Sequence, residues 1–130
     1  MSAYYFSVHV SGLFDEVVER TTKALATEGF GVLTDIDVAA TMKKKLDVNM
    51  PRYRILGACN PAFAYEALKA ESKIGTMLPC NVIVRETEEG NVEVASIDPI
   101  ASMQAINNDQ LGEIASEVRL RLERVIQTLT

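Results

Sequence analysis

The chain has 130 residues, 48% of them hydrophobic and 24% charged, and a net charge of −5 with one His and two Cys. That length closes one core and not two, so a single domain over residues 1–130 is expected. The acidic balance lacks the surplus of Lys and Arg that grips a phosphate backbone, and no apolar run approaches the roughly 20 residues of a membrane span, which argues against nucleic acid and membrane as partners. The start, MSAYYFSVHV, lacks the basic and apolar regions of a signal peptide, so a cytoplasmic protein with Cys59 and Cys80 as free thiols is the expectation.

Tyr4 to Val10 is aromatic and β-branched and ends at Ser11-Gly12, the pattern of a short strand. Phe14, Val17, Val18, Thr21, Ala24 and Leu25 then recur at helical spacing, with Asp15 and Glu16 in the first turn and Gly29 as the stop. Gly31 to Val38 alternates as a strand, Val32, Thr34 and Ile36 against Leu33, Asp35 and Asp37. Ala40 to Leu46 is a short helix carrying Lys43, Lys44 and Lys45. Tyr53 to Cys59 is a strand apolar on both faces.

Asn60-Pro61 predicts a helix start, with the Asn side chain as cap and Pro in the first turn, and Ala62 to Ser72 is the helix. Asn81 to Glu86 and Val92 to Ile97 are two strands around the polar turn Glu88-Glu89-Gly90-Asn91. Asp98-Pro99 repeats the cap chemistry and opens a short helix carrying Met103 and Ile106. The last helix aligns Leu111, Ile114, Ala115, Val118, Leu122, Val125, Ile126 and Leu129 on one stripe, with Leu120 opposite.

This order predicts an α+β fold, a largely antiparallel sheet with helices on one face. Leu33, Leu56, Ala58, Ile83, Ala95 and Ile97 leave the sheet apolar on both sides, so a homodimer is expected to cover the helix-free face, against a monomer in which Arg54, Arg85 and Glu93 solvate it. If the last three strands form an antiparallel meander, Cys59-Asn60-Pro61, Cys80 and Asp98-Pro99 gather along one edge. A parallel crossover would instead separate the two thiols.

In the meander, two thiols meet two helix starts, whose free N–H groups favour an anion and thiolate character at Cys59. The competing reading is a pair of small buried hydrophobes beside ordinary caps. A metal site would draw on Cys59, Cys80 and His9, although no ligand spacing demands it. Lys44 and Lys45 can reach an anion or simply form a solvated face.

Four segments carry a resemblance: I-D-V-A-A-T-M-K-K-K-L from Ile36, Y-R-I-L-G-A-C-N-P from Tyr53, I-G-T-M-L-P-C-N-V from Ile74 and I-D-P-I-A-S-M from Ile97. In order and spacing they resemble the bacterial and archaeal family catalogued as domain of unknown function 302, over essentially the whole chain. The resemblance implies a TATA-binding-protein-like two-layer β-α-β(4)-α fold. It carries over Lys44, Lys45, Cys59, Asn60, Pro61, Cys80, Asp98 and Pro99 as motif residues, and it names no reaction.

The function expected from these residues is a homodimeric binding protein holding a small ligand or soft metal ion in a strand-end pocket. Its ligand-binding residues would be Cys59, Asn60, Cys80 and Asp98, with Lys44 and Lys45 in reach. The alternatives are a thiol redox or sensor protein using Cys59 and Cys80, and an interaction module with no small-molecule site, working through Leu120 and the sheet face. Whether the protein is an enzyme, and with what cofactor, the sequence leaves open.

Overall fold

The computed structural model describes residues 4–87 and 90–130. Strand β1 (Tyr5–Val10) leads into helix α1 (Phe14–Thr27), β2 (Gly31–Asp37), α2 (Val38–Leu46), β3 (Tyr53–Cys59) and α3 (Pro61–Ala70). A 3-10 turn (Ile74–Met77) precedes β4 (Cys80–Glu86), β5 (Val92–Ile97), the one-turn α4 (Pro99–Ser102) and the long α5 (Asp109–Thr128). All strand pairs are antiparallel, in the order β1-β5-β4-β3-β2. The expected α+β architecture and meander are therefore present, and the parallel crossover is not. Among the described residues no helix is long and apolar enough to cross a membrane.

The helices form where their apolar stripes find the sheet. Phe14, Val17, Val18, Thr21, Ala24 and Leu25 are the buried face of α1. In α5, Leu111, Ala115, Val118, Leu122, Val125 and Ile126 are buried, and the Asn108 side chain caps the first turn by accepting from the N–H groups of Gln110 and Leu111. Both helices pack on the sheet face made by Leu56, Ala58, Val82, Val84, Val92 and Val94, giving one main core. A second, smaller core of Ala67, Ile74 and Leu111 lies where α3, the 3-10 turn and the start of α5 meet, and Ile114 packs against both.

Strand pairing corrects the two-faced reading of the sheet. The register breaks between Val32 and Thr34, so that Val32 stands opposite Ala58 while Thr34 stands opposite Gly57. Leu33 is the extra residue of this bulge, and the alternation of β2 changes phase there. Asp35 consequently falls on the Leu56 side, and Thr34 and Ile36 on the side of Gly57 and Ile55. Leu56, Ala58 and Arg54 belong to the helix-covered face, not the open one; Arg54 binds Asp35 through two hydrogen bonds, 2.8 Å and 2.5 Å.

The open face is left with three rows running across the strands, fixed by the register. One row is Tyr5, Ile97, Asn81, Gly57 and Thr34, the central one Ser7, Ala95, Ile83, Ile55 and Ile36, and the third His9, Glu93, Arg85 and Tyr53. The hairpin of β4 and β5 is closed by the Thr87 N–H donating to the Asn91 carbonyl at 2.8 Å. Of the turn read from the sequence, Glu88 and Glu89 lie outside the described residues. The helix at Asp98-Pro99 is shorter than expected: α4 ends at Ser102, so Met103 and Ile106 follow it and pack onto the second core from irregular chain.

Candidate functional site

The meander brings the ends of β3, the start of β4 and the end of β5 to one edge of the sheet. Ala58 pairs with Cys80, and Val82 pairs with Ser96, so Cys59, Cys80 and Asp98 all lie at that edge. Between this edge, α3 and the first half of α5 is a cavity of about 350 Å³. It separates the two cores: Phe30, Ala58 and Val118 line it from the main one, Ala67, Leu78 and Met103 from the smaller one. Cys59, Asn60 and Cys80 belong to its wall. Its lining is almost wholly apolar, and Leu33 and Leu68, exposed at 67% and 44%, stand where it reaches solvent.

Burial pushes the Cys80 thiol up to about 11, with the neighbouring Cys59 adding to the rise. At neutral pH Cys80 is thus a protonated thiol, a neutral group in the cavity wall. The helix-start argument loses its cap at Asn60. That side chain makes no capping hydrogen bond; its amide instead donates to the Glu28 carbonyl at 3.4 Å. The Arg121 guanidinium donates to the same carbonyl at 3.1 Å, so Asn60 and Arg121 together hold the turn between α1 and β2 beside the cavity.

Asp98 is placed at the right edge but is occupied by the fold. Its carboxylate caps α4 by accepting from the Ile100 N–H at 3.0 Å, and it stands 3.3 Å from Nε of Arg119. Pro99, not Asp98, lines the cavity. Lys44 and Lys45 sit on α2, which follows Asp37 and leads towards Tyr53, at the other end of the strands, and neither lines the cavity. His9 is equally remote: it pairs with Glu93, four residues along β5 from Ile97, on the open face. It cannot join Cys59 and Cys80 within one chain. Among the described residues no group of three His, Cys, Asp or Glu could hold a metal ion.

Sequence reasoning missed the apolar walls, Phe30, Phe63, Met103, Ile114 and Ala115, because each reads as core. A signal was present all the same. Ala64 and Ala67 on α3 and Ala115 on α5 put small side chains where two helices and a sheet edge converge, which leaves space.

The family model described as Domain of unknown function DUF302 matches residues 6–129. The chain belongs to this family. The crystal structure described as an uncharacterized conserved protein DUF302 from Bacillus stearothermophilus is similar over 99% of this chain and 100% of that one, with 28% identity and a TM-score of 0.91. No curated protein matches the chain. Membership in DUF302 accords with the fold and leaves the reaction or ligand to be argued from the site.

Proposed function

We propose that this DUF302 protein binds a small, largely apolar molecule in the cavity bordered by Cys59 and Cys80. The observation that carries the reading is the cavity itself, about 350 Å³ with an almost wholly apolar wall. That volume is at the small end of ligand pockets. Water in an apolar pocket finds few hydrogen-bond partners in the wall, so an apolar guest that displaces it gains by burying its own surface and that of the wall. Cys80, held as a neutral thiol, suits an apolar wall and is a poor resting ligand for a metal ion. In this reading the protein works as a homodimer, with the open sheet face as the interface and the cavity free on the helical side.

Titration with the apolar fluorophore N-phenyl-1-naphthylamine tests the cavity. Saturable binding at one probe per chain is expected, lost in Ala115→Phe, whose ring fills the space beneath Ile114 and Val118. Absence of saturable binding, or binding unchanged in Ala115→Phe, would sink the idea. A thiol sensor is the second reading, because both thiols border the same cavity. Reversible loss of two hydrogens in the intact mass under mild peroxide, with one disulfide formed, would favour it over ligand binding.

A further inference from the structure

We infer that the guest of this cavity is a neutral, planar aromatic molecule of about two rings with a single O–H or N–H donor, which the Asn60 side-chain carbonyl accepts. The inference rests on the ligand-binding reading above and names the class of molecule that site would take. Size sets the first bound. A cavity of about 150 Å³ lined by Leu, Ile and Phe takes up benzene. This one is about 350 Å³, so a single ring would leave it half empty. Shape sets the second. Ala64 and Ala67 of α3, Ala115 of α5 and Ala58 of β3 have side chains that end at Cβ, which makes the walls flat and suits a flat guest. Phe30 and Phe63 add rings to the wall, and Cys59, Cys80 and Met103 add sulfur. Rings and sulfur both contact an aromatic guest more favourably than a saturated one of the same size.

Charge excludes an ionised guest. No lining residue is charged. The cations on the two helices that bound the cavity are all paired: Arg119 with Asp98 at 3.3 Å, Arg121 with Glu117 at 3.1 Å, Arg124 with Glu28 at 3.0 Å and Lys69 with Glu66 at 2.5 Å. A carboxylate guest would leave water for a wall that holds no free counter-ion, in a chain of net charge −5. A cationic guest fares no better, since the Arg121 guanidinium already lies 5.1 Å over the Phe63 ring. Asn60 is the one lining side chain with a nitrogen or oxygen atom. Its Nδ2 turns to the Glu28 carbonyl and it caps no helix, so Oδ1 is the acceptor left for a guest. An acceptor without a companion donor selects a hydroxyl or a ring N–H.

Isothermal titration calorimetry of the full chain with four compounds of one skeleton reads the class. Saturable binding of 2-naphthol, one per chain, is expected. The ionised 2-naphthoate should bind about a hundredfold more weakly or not at all. Loss of the donor in 2-methoxynaphthalene should weaken binding about fivefold, and loss of aromaticity in decahydro-2-naphthol about threefold or more. Asn60→Ala should erase the preference for 2-naphthol over 2-methoxynaphthalene and keep the rejection of 2-naphthoate. The inference is overturned if 2-naphthoate, decahydro-2-naphthol or 2-methoxynaphthalene binds the unsubstituted chain as tightly as 2-naphthol. It is overturned too if N-phenyl-1-naphthylamine binds saturably and none of the four does, an outcome that leaves the cavity reading standing. If neither that probe nor any of the four binds, both fall together.

Discussion

Pro79 closes over Gly57: a Cβ built on Gly57 would stand 2.7 Å from Cγ of the Pro79 ring and closer still to the Thr34 hydroxyl. Glycine in the middle of an otherwise apolar strand therefore marks the place where β2 and the start of β4 crowd the backbone of β3. Gly57→Ala should cost about 1–3 kcal/mol by overpacking, read as a lowered urea midpoint with an unchanged slope. Gly112→Ala is the control. It meets open space inside α5 and should stabilise by about 0.5–1 kcal/mol.

Asn108 links two elements of the smaller core. Its side-chain carbonyl caps α5, and its amide donates to the Ala70 carbonyl at 3.1 Å at the end of α3. Asn108→Ala should lose about 1–2 kcal/mol, and Asn108→Asp, which keeps the cap and removes the donor, less. Thermal unfolding of the pair of variants separates the two contributions.

The Cys80 thiol gives stability a high-pH dependence. Its pKa is raised from 9.0 to about 11 in the folded protein, so the unfolded chain releases this proton first as pH rises. The contribution is fully present below pH 9 and is lost as pH climbs from about 9 to about 11, up to about 2–3 kcal/mol. The unfolding free energies of the native chain and of Cys80→Ala, from urea titrations across that range, should change with pH by amounts that differ by this much. For the same reason, alkylation of Cys80 by iodoacetamide at pH 8 should be about a hundredfold slower than that of an ordinary thiol.

Asp35 works in the opposite direction. Hydrogen bonds from Arg54 hold its carboxyl below the usual carboxylate value. Its stabilising share is present above the unfolded pKa and is lost as pH falls through the lower, folded one. The pair is partly exposed, so Asp35→Asn should cost less than about 1 kcal/mol near neutral pH and nothing once the Asp35 carboxyl is protonated in the folded and the unfolded chain alike. Acid titration followed by circular dichroism checks this.

Much of the fold is legible because its apolar stripes are long. The six buried positions of α1 repeat at helical spacing with no interruption, and the α5 stripe does so over five turns, so pattern alone fixes their faces. β2 is different. Val32, Thr34 and Ile36 alternate without a break in the sequence, yet Leu33 bulges between them, and only pairing with β3 reveals the change of phase. The gathering of Cys59, Cys80 and Asp98 at one edge follows from the meander. What those residues do there follows only in part: the Asp98 cap on α4 is legible from Asp98-Pro99, whereas its approach to Arg119 and the Asn60 bond to the Glu28 carbonyl join residues far apart in the chain. Lys44, Lys45 and His9 dropped out of the site for a topological reason: spacing along the chain says nothing about which end of a strand a neighbouring helix or strand occupies.

The split between an eighteen-residue core and one of only Ala67, Ile74 and Leu111 has a kinetic consequence. Local opening costs least where the fewest buried side chains must separate, so amide exchange should run faster around the 3-10 turn and the end of α3 than in β4 or α5 beyond Val118. One small corner then loosens on its own, while the sheet and its two long helices stay closed.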